Sequence, residues 1–224
     1  MAFFSDRADA GKRLASALTN FAGKNAIVLT IPRGGVVVGY EISKALRLPL
    51  DVIIPHKIGA PDNAELAIGA VTEDGTIILD KSLVSYLGVS EEYIKAESER
   101  QKHEINRRLK MYRQNEPYAN LSGTDVIIVD DGIATGSTMK AALASVKNRG
   151  ARSVTVAVPV GPPSTINELK RQADRVVCLY MPEYFGAIGQ FYRDFNQTTD
   201  EEVIELLKEN RQERRGKPAR TLKA

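Results

Sequence analysis

Tryptophan is absent from this 224-residue chain, and cysteine and histidine are scarce. The single cysteine, Cys178, excludes an intrachain disulfide framework and is typical of a reducing compartment. It lies in the apolar run RVVCLY, where a buried structural thiol is favoured over a nucleophile. His56 and His103 are isolated and form no HxxxH or Cys/His spacing, so a zinc site is not expected.

Long hydrophobic runs are also missing. No stretch approaches the roughly 20 apolar residues of a membrane span, and the beginning, MAFFSDRADAGKR, lacks the apolar region of a signal peptide. The formal net charge of +3 suits an anionic substrate but gives no argument for nucleic acid. We therefore expect a cytoplasmic protein with neither a membrane nor a nucleic acid as partner.

Strands and helices alternate along most of the chain. Apolar runs typical of buried strands occupy residues 26–31, 51–56, 125–131, 153–159 and 175–180. Helical patterns occupy residues 6–21, 36–46, 138–149, 164–172 and 198–210, with Ser5 as the predicted N-cap of the first. This alternation predicts an α/β fold, an open and mostly parallel twisted sheet of about five strands with helices on both faces.

The middle of the chain departs from this alternation. Residues 57–66, KIGAPDNAEL, indicate a loop, and residues 67–71 and 76–79 flank a hairpin signal. The longest predicted helix, 90–114, is almost devoid of large apolar residues, which indicates a solvated arm; a dimer contact or a lid is an alternative. Its basic residues are expected on a solvated face: Arg107, Arg108, Lys110 and Arg113.

The predicted domain organisation follows from these patterns. Residues 1–210 should form one domain, with a helical insertion at about 80–118, and residues 211–224 a basic flexible tail.

One segment, VIIVDDGIATGST at 126–138, combines a buried strand, two adjacent carboxylates and a helix start. In an open parallel sheet, ligands bind outside the carboxyl ends of the strands. The backbone amides of residues 135–138 have no intrahelical acceptor and can hold one phosphate, which Gly136 allows to approach closely. Asp130 and Asp131 can bind sugar hydroxyls or reach Mg²⁺, directly or through water or the ligand. The segment therefore predicts a site for a phosphorylated sugar.

The same segment is not a Walker P-loop, because it lacks the lysine and has only three residues between its glycines. It closely resembles the motif of type I phosphoribosyltransferases that binds 5-phosphoribosyl 1-pyrophosphate (PRPP). The resemblance implies Mg²⁺ as cofactor and catalytic roles for Asp130 and Asp131. It implies that the PRPP contacts come from the following positions: Asp130, Asp131, Gly132, Ala134, Thr135, Gly136, Ser137 and Thr138.

Two further segments extend the resemblance. TIPRGG at 30–35 resembles the pyrophosphate loop of the family, which implies PRPP contacts from Arg33, Gly34 and Gly35 and a catalytic role for Arg33. It also implies a cis or unusual peptide at Pro32–Arg33. FYRDFNQ at 191–197 resembles a segment of the hypoxanthine-guanine enzymes, which implies that Arg193 helps to hold pyrophosphate; an aromatic-anchored surface turn is the alternative. Over about residues 5–207, the chain resembles uncharacterised prokaryotic phosphoribosyltransferase-like proteins.

Several implied roles stay open. Lys57 could act as a catalytic residue that neutralises pyrophosphate, and Glu65 could serve the base, although ordinary exposed side chains explain both equally well. Tyr184 and Phe185 follow the last strand, where the family's hood, a small cap made by the chain ends, stacks the base; a core or surface role explains these two residues equally well. Ala134 stands where six-oxopurine enzymes have an aspartate, as in adenine enzymes, whereas PRGG and FYRDFNQ favour the other type.

The resemblance implies a transferase activity, and a regulatory function is the alternative. The expected reaction transfers 5-phosphoribosyl from PRPP to a nitrogenous base, with a purine-like acceptor favoured, and releases pyrophosphate. The expected form is a homodimer that binds PRPP and a small base or its nucleotide. The rival is a regulatory protein that senses PRPP or a nucleotide, which would need a basic nucleic-acid surface or an appended binding domain.

Overall fold

The structure is a computed structural model that describes residues 3–114 and 116–215, apart from the side chains of Glu65 and Arg215. Residues 216–224 of the predicted tail lie outside the described residues. The strands are β1 Ala26–Thr30, β2 Leu50–Val52, β3 His56–Ala60, β4 Asn63–Val71, β5 Ile77–Leu79, β6 Asp125–Val129, β7 Ser153–Val160 and β8 Arg175–Tyr180. The helices are α1 Arg7–Ala17, α2 Gly34–Leu46, α3 Lys81–Leu87, α4 Glu91–Arg113, α5 Ser137–Asn148, α6 Pro163–Leu169 and α7 Asp200–Arg215.

The main sheet has five parallel strands in the order β2-β1-β6-β7-β8, which confirms the predicted α/β fold. Side chains of β1 alternate between its two faces: Val28 packs in the core with α1, α2 and α7, whereas Ile27 and Leu29 pack in the core with α5 and α6. Because helices cover both faces, the central strands β1, β6 and β7 are almost wholly buried and mostly apolar, as a sheet buried on both faces requires.

The first helix begins one residue later than the predicted cap implied. Asp6, not Ser5, is the N-cap of α1, because its extended backbone lets its carboxylate accept the amide of Asp9. The backbone amide of Ser5 instead donates to the Asp9 carboxylate. This placement puts Arg7 in the first helical turn.

The prediction of a loop at residues 57–66 was wrong. This stretch forms β3 and the start of β4, which pair antiparallel and continue into the predicted β4–β5 hairpin. The two strands approach so closely that a Cβ atom on Gly59 would lie 2.7 Å from the carbonyl oxygen of Ala64. The glycine that suggested a loop is therefore required by strand pairing.

The interpretation of α4 as a solvated arm was also wrong for one of its faces. Ile94, Ile105, Leu109 and Tyr112 are buried against the main core, because these few apolar residues share one stripe of the helix. Arg113, predicted to be solvated, is 3% exposed, and its Nε donates to the Asp51 carboxylate at 2.9 Å. The long helix is thus part of the domain.

The first described residues pack beside β8, against the segment that follows this strand. Phe4 forms an isolated parallel bridge with Tyr192, and both belong to a small apolar cluster with Phe191. At the other side, α7 packs on α2 and continues to Arg215, so the first five residues of the predicted tail are helical. Along the described segments, none of the helices has the length and hydropathy needed to cross a membrane.

Candidate functional site

The carboxyl ends of β1 and β6 meet at one edge of the sheet. Thr30 pairs with Val129, and the amide of Ile31 donates to the carbonyl of Val129 at 2.9 Å. The PRGG turn therefore leaves β1 directly beside the point where Asp130 and Asp131 leave β6. Two segments separated by almost a hundred residues in the sequence form one site at this edge.

The contact between the turn and the acidic pair is tight at both glycines and tightest at Gly34. A Cβ atom on Gly34 would lie 2.0 Å from Oδ2 of Asp131, and one on Gly35 would lie 3.0 Å from the Cα atom of Asp130. Real Cβ atoms essentially never approach a neighbour within 3.0 Å. Glycine at these positions is therefore what allows the turn to lie against the carboxylates.

The two carboxyls lie in different surroundings. Asp130 is half-buried, and its Oδ1 accepts the backbone amide of Asp131 at 2.8 Å. Burial raises the pKa of Asp130 well above its ordinary value, and the neighbouring charge of Asp131 raises this pKa further. Asp131 is 9% exposed, and its Oδ2 accepts a hydrogen bond from Nε of Arg7 at 2.7 Å.

The loop after the acidic pair leads into α5, which begins at Ser137. Gly136 is its N-cap with a left-handed φ of 77°, and no side-chain hydrogen bond caps this helix end. The hydroxyls of Thr135 and Ser137 lie 3.4 Å apart, and the carbonyl of Ala134 is held by the hydroxyl of Thr165 at 2.8 Å. An uncapped helix N-terminus with hydroxyls beside it has the geometry of an anion site.

Gly132 and Thr138 complete the predicted loop. A Cβ atom on Gly132 would lie 2.5 Å from a methyl carbon of Ile188, so the loop is packed against the short 3-10 turn that follows β8. Thr138 is in the first turn of α5 and is half-buried. The loop is thus packed against the segment that follows β8.

Arg33 lies at the N-terminus of α2, and the peptide Pro32–Arg33 is cis, as predicted. Its Nη1 lies 4.0 Å from the Oδ1 atom of Asp200. The same oxygen accepts a hydrogen bond from the Tyr112 hydroxyl at 2.5 Å, so α4 and α7 both contribute to the surroundings of this arginine.

Arg7 is the residue at this edge that the sequence analysis missed. Its guanidinium contacts Asp131 and also donates to the carbonyl of Asn196 at 2.6 Å. A signal was present: a cation in the first turn of a helix lies at the positive end of the helix dipole, where an anionic side chain is favoured. An arginine at this unfavourable position is a candidate for a functional role.

Other predicted site residues lie outside this cluster. Lys57 is exposed on β3 and lines a separate cavity of about 280 Å³ with Tyr93 and Arg100 of α4. The side chain of Arg193 is exposed, while its backbone amide donates to Phe4. The side chain of Glu65 lies outside the described part of the chain.

The two predicted base-binding residues, Tyr184 and Phe185, lie in different surroundings. Tyr184 is 88% exposed, whereas the ring of Phe185 packs against that of Phe191 with centroids 5.4 Å apart. Cys178 is half-buried, and burial raises the pKa of its thiol to about 11, which is the opposite of an activated nucleophile.

Comparisons with known proteins agree with this geometry. The model of the phosphoribosyl transferase domain matches residues 5–196. Two curated proteins, from two strains of Mycobacterium tuberculosis, carry provisional phosphoribosyl transferase names and are 43% identical over 207 residues. These residues are 92% of this chain and 47% of each relative, so the chain spans about half the length of the curated relatives it matches.

A solved structure is similar over almost its whole length. The crystal structure of TT1426 from Thermus thermophilus has a TM-score of 0.80 and 43% identity, and the match covers 93% of this chain and 99% of that chain. The chain belongs to the phosphoribosyl transferase domain family.

Proposed function

We propose that this chain is a Mg²⁺-dependent phosphoribosyltransferase that transfers 5-phosphoribosyl from PRPP to a nitrogenous base, with a purine-like acceptor favoured. One observation carries the proposal: an acidic pair, an uncapped helix N-terminus and a glycine turn that follows β1 meet at one edge of the sheet. These parts match the ribose, the 5-phosphate and the pyrophosphate of PRPP.

The 5-phosphate would bind at the start of α5. The amides of Thr135, Gly136, Ser137 and Thr138 supply donors, and the helix dipole favours the negative charge. Gly132 and Ala134 shape the loop that precedes them. A phosphate, sulfate or nucleotide 5′-phosphate is expected at these amides in crystals grown with such an anion, and an anion bound elsewhere at this edge, with these amides solvated, would contradict the assignment.

The acidic pair would hold the ribose and the metal. Carboxylate oxygens suit Mg²⁺, which proteins commonly bind through one or two carboxylates together with the phosphates of the substrate. Asp130 and Asp131 fit this pattern, either directly or through water and PRPP itself. When bound, Mg²⁺ would neutralise charge on the pyrophosphate, while the two aspartates accept hydrogen bonds from ribose hydroxyls.

The leaving pyrophosphate would lie over the PRGG turn. Glycosyl transfer has an oxocarbenium-like transition state, so catalysis depends on holding the reactants and stabilising the leaving group. The backbone of Gly34 and Gly35 can approach the pyrophosphate closely, and Arg33 can donate a fork of hydrogen bonds. Lys57 and Arg193 are proposed as further cations for it, with Tyr184 and Phe185 as contacts for the base.

The reaction is tested by mixing the protein with PRPP, Mg²⁺ and single bases and measuring released pyrophosphate. We expect release with at least one purine-like base, and a raised Michaelis constant for PRPP in Arg33→Ala, because this substitution removes the pyrophosphate fork. Arg47→Ala, at the far end of α2, is the matched control and should leave the Michaelis constant for PRPP unchanged. Tight PRPP binding without release with any base would instead favour a PRPP-sensing regulator.

The proposal extends to the state of the protein in solution. We propose a cytoplasmic homodimer without a nucleic-acid partner. Sedimentation at several protein concentrations tests the dimer, and a monomer at all concentrations would contradict it.

A further inference from the structure

Arg7 bridges three parts of the molecule that are distant in sequence. Its Nε donates to Oδ2 of Asp131 at 2.7 Å, and its Nη1 donates to the carbonyl of Asn196 at 2.6 Å. Its guanidinium carbon lies 3.8 Å from the ring centroid of Phe195, which is a cation–π distance. The arginine therefore connects α1, the acidic pair and segment 192–196.

A second path leads from the same segment to the same aspartate. The hydroxyl of Tyr192 donates to the backbone carbonyl of Asp131 at 2.6 Å, and its ring lies 5.0 Å from that of Phe195. Segment 192–196 thus fixes the main chain of Asp131 through Tyr192 and its carboxylate through Arg7.

The contact between Arg7 and Asp131 is shielded from solvent. The side chains are 12% and 13% exposed, so the pair is less screened than a surface ion pair. A Cβ atom on Gly34 would lie 2.6 Å from Nε of Arg7, so the PRGG turn closes the remaining side. Arg7 engages one carboxylate oxygen, Oδ2, and thereby fixes the direction of the other.

We propose that Arg7 is a positioning residue that orients the Asp131 carboxylate for the ribose of PRPP. In this role FYRDFNQ acts on the site through Arg7, because Tyr192, Phe195 and Asn196 hold the arginine and the aspartate in place. This differs from the role that the sequence resemblance implied, in which Arg193 contacts pyrophosphate. The inference rests on the proposed function, since it assumes that PRPP binds at the acidic pair.

The test begins with calorimetric titration of the wild-type chain with PRPP and Mg²⁺, followed by Arg7→Gln. We expect Arg7→Gln to weaken PRPP binding roughly 10- to 100-fold, as loss of a residue that orients a ligand-binding side chain commonly does. Arg7→Lys should fall between the two, because lysine keeps the charge but lacks the planar fork. Arg13→Gln, which removes another arginine–aspartate pair of α1, is the matched control and should bind like the wild type.

A double-mutant cycle with Asp131→Asn separates positioning from general stabilisation. If Arg7 acts by orienting the carboxylate, Arg7→Gln should change PRPP affinity little once Asp131 is an asparagine. Equal losses of affinity in both backgrounds would overturn the inference, because Arg7 would then act independently of Asp131. Thermal unfolding of each variant, measured without PRPP, shows whether it is folded.

A second variant keeps the inference testable if Arg7→Gln fails to fold. Phe195→Leu changes a partly exposed ring and leaves both Arg7 and Asp131 in place, so we expect a smaller loss of PRPP affinity in the same direction. Unchanged affinity in folded Phe195→Leu, with a wild type that binds PRPP, would then refute the role of Arg7. A wild type that binds no PRPP would refute the proposed function instead.

Discussion

Gly34→Ala adds one methyl group at the tightest contact of the candidate site. The new Cβ atom would lie 2.0 Å from Oδ2 of Asp131, 2.7 Å from its Cγ and 2.6 Å from Nε of Arg7. Ordinary van der Waals contact begins at about 3.4 Å, so the carboxylate and the methyl group must separate by roughly 1.4 Å. The backbone φ of Gly34 is not in the left-handed region, so this crowding is the main effect expected of the substitution.

The expected cost follows from that displacement. Misplacing a binding or catalytic group by about 1 Å can cost about 100-fold in rate, and we expect a loss of this size in kcat/KM for PRPP. Overpacking a tight contact typically costs about 1–3 kcal/mol of unfolding free energy, which a domain of ordinary stability survives. The substitution should therefore reduce activity far more than it reduces the folded fraction.

Pyrophosphate release and thermal unfolding, measured on the same preparations, check this prediction. Gly88→Asn is the matched control, because Gly88 caps α3 with nothing within 4 Å of an added Cβ, and asparagine tolerates its left-handed φ of 62°. The control should keep wild-type activity. A Gly34→Ala protein with wild-type kcat/KM for PRPP would refute the contact between the turn and Asp131.

Two further predictions concern buried polar groups. Asn210→Ala should lower the free energy of unfolding by about 2–3 kcal/mol, because it removes the buried acceptor of the Leu50 amide and the donor to Ser43. Chemical denaturation measures this loss. A loss no larger than that caused by Asn106→Ala, at an exposed position, would contradict the prediction. Burial raises the pKa of Glu73 above its ordinary 4.5, so the native state holds this proton more tightly than the unfolded chain. Stability should therefore fall as pH rises from 4.5 through the higher native pKa, and Glu73→Gln should reduce this slope. An identical slope in wild type and Glu73→Gln, measured by denaturation across that pH range, would show that another group is responsible.

The five-stranded sheet could be predicted because its signals are local. Each apolar strand is followed by a helical pattern, and this alternation leaves few possible topologies. The acidic pair and the glycine-containing helix start lie within 13 residues, so one continuous segment contained most of the candidate site. The cis peptide at Pro32–Arg33 came from the resemblance of PRGG to a known loop.

In the second sheet, the β4–β5 hairpin was predicted, but β3 and the start of β4 were missed because they lack the usual strand signal. KIGAPDNAEL contains glycine, proline and small residues in place of alternating large apolar ones, and its strand pairing depends on close backbone approach at Gly59. The buried face of α4 was missed for a related reason. Its few apolar residues are spread over 23 positions, so the composition of the helix hides the stripe that packs on the core.

Arg7 could not have been placed from its own neighbourhood in the sequence. Its hydrogen-bond partners, Asp131 and Asn196, are 124 and 189 positions away. Such contacts appear only when both ends of the domain meet at the sheet edge. The position of Arg7 in the first turn of α1 was the available hint, since a cation is disfavoured there.

The most direct test of the account is calorimetric titration of the wild-type chain and of the double variant Asp130→Asn/Asp131→Asn with PRPP in the presence of Mg²⁺. The account predicts saturable binding to the wild type and at least roughly 100-fold weaker binding to the double variant, because each aspartate contributes charge-assisted hydrogen bonds of about 1.5–3 kcal/mol. Thermal unfolding should show that the double variant remains folded. Equal PRPP affinity in the two proteins, or no binding to the wild type, would contradict the assignment of this edge as a PRPP site.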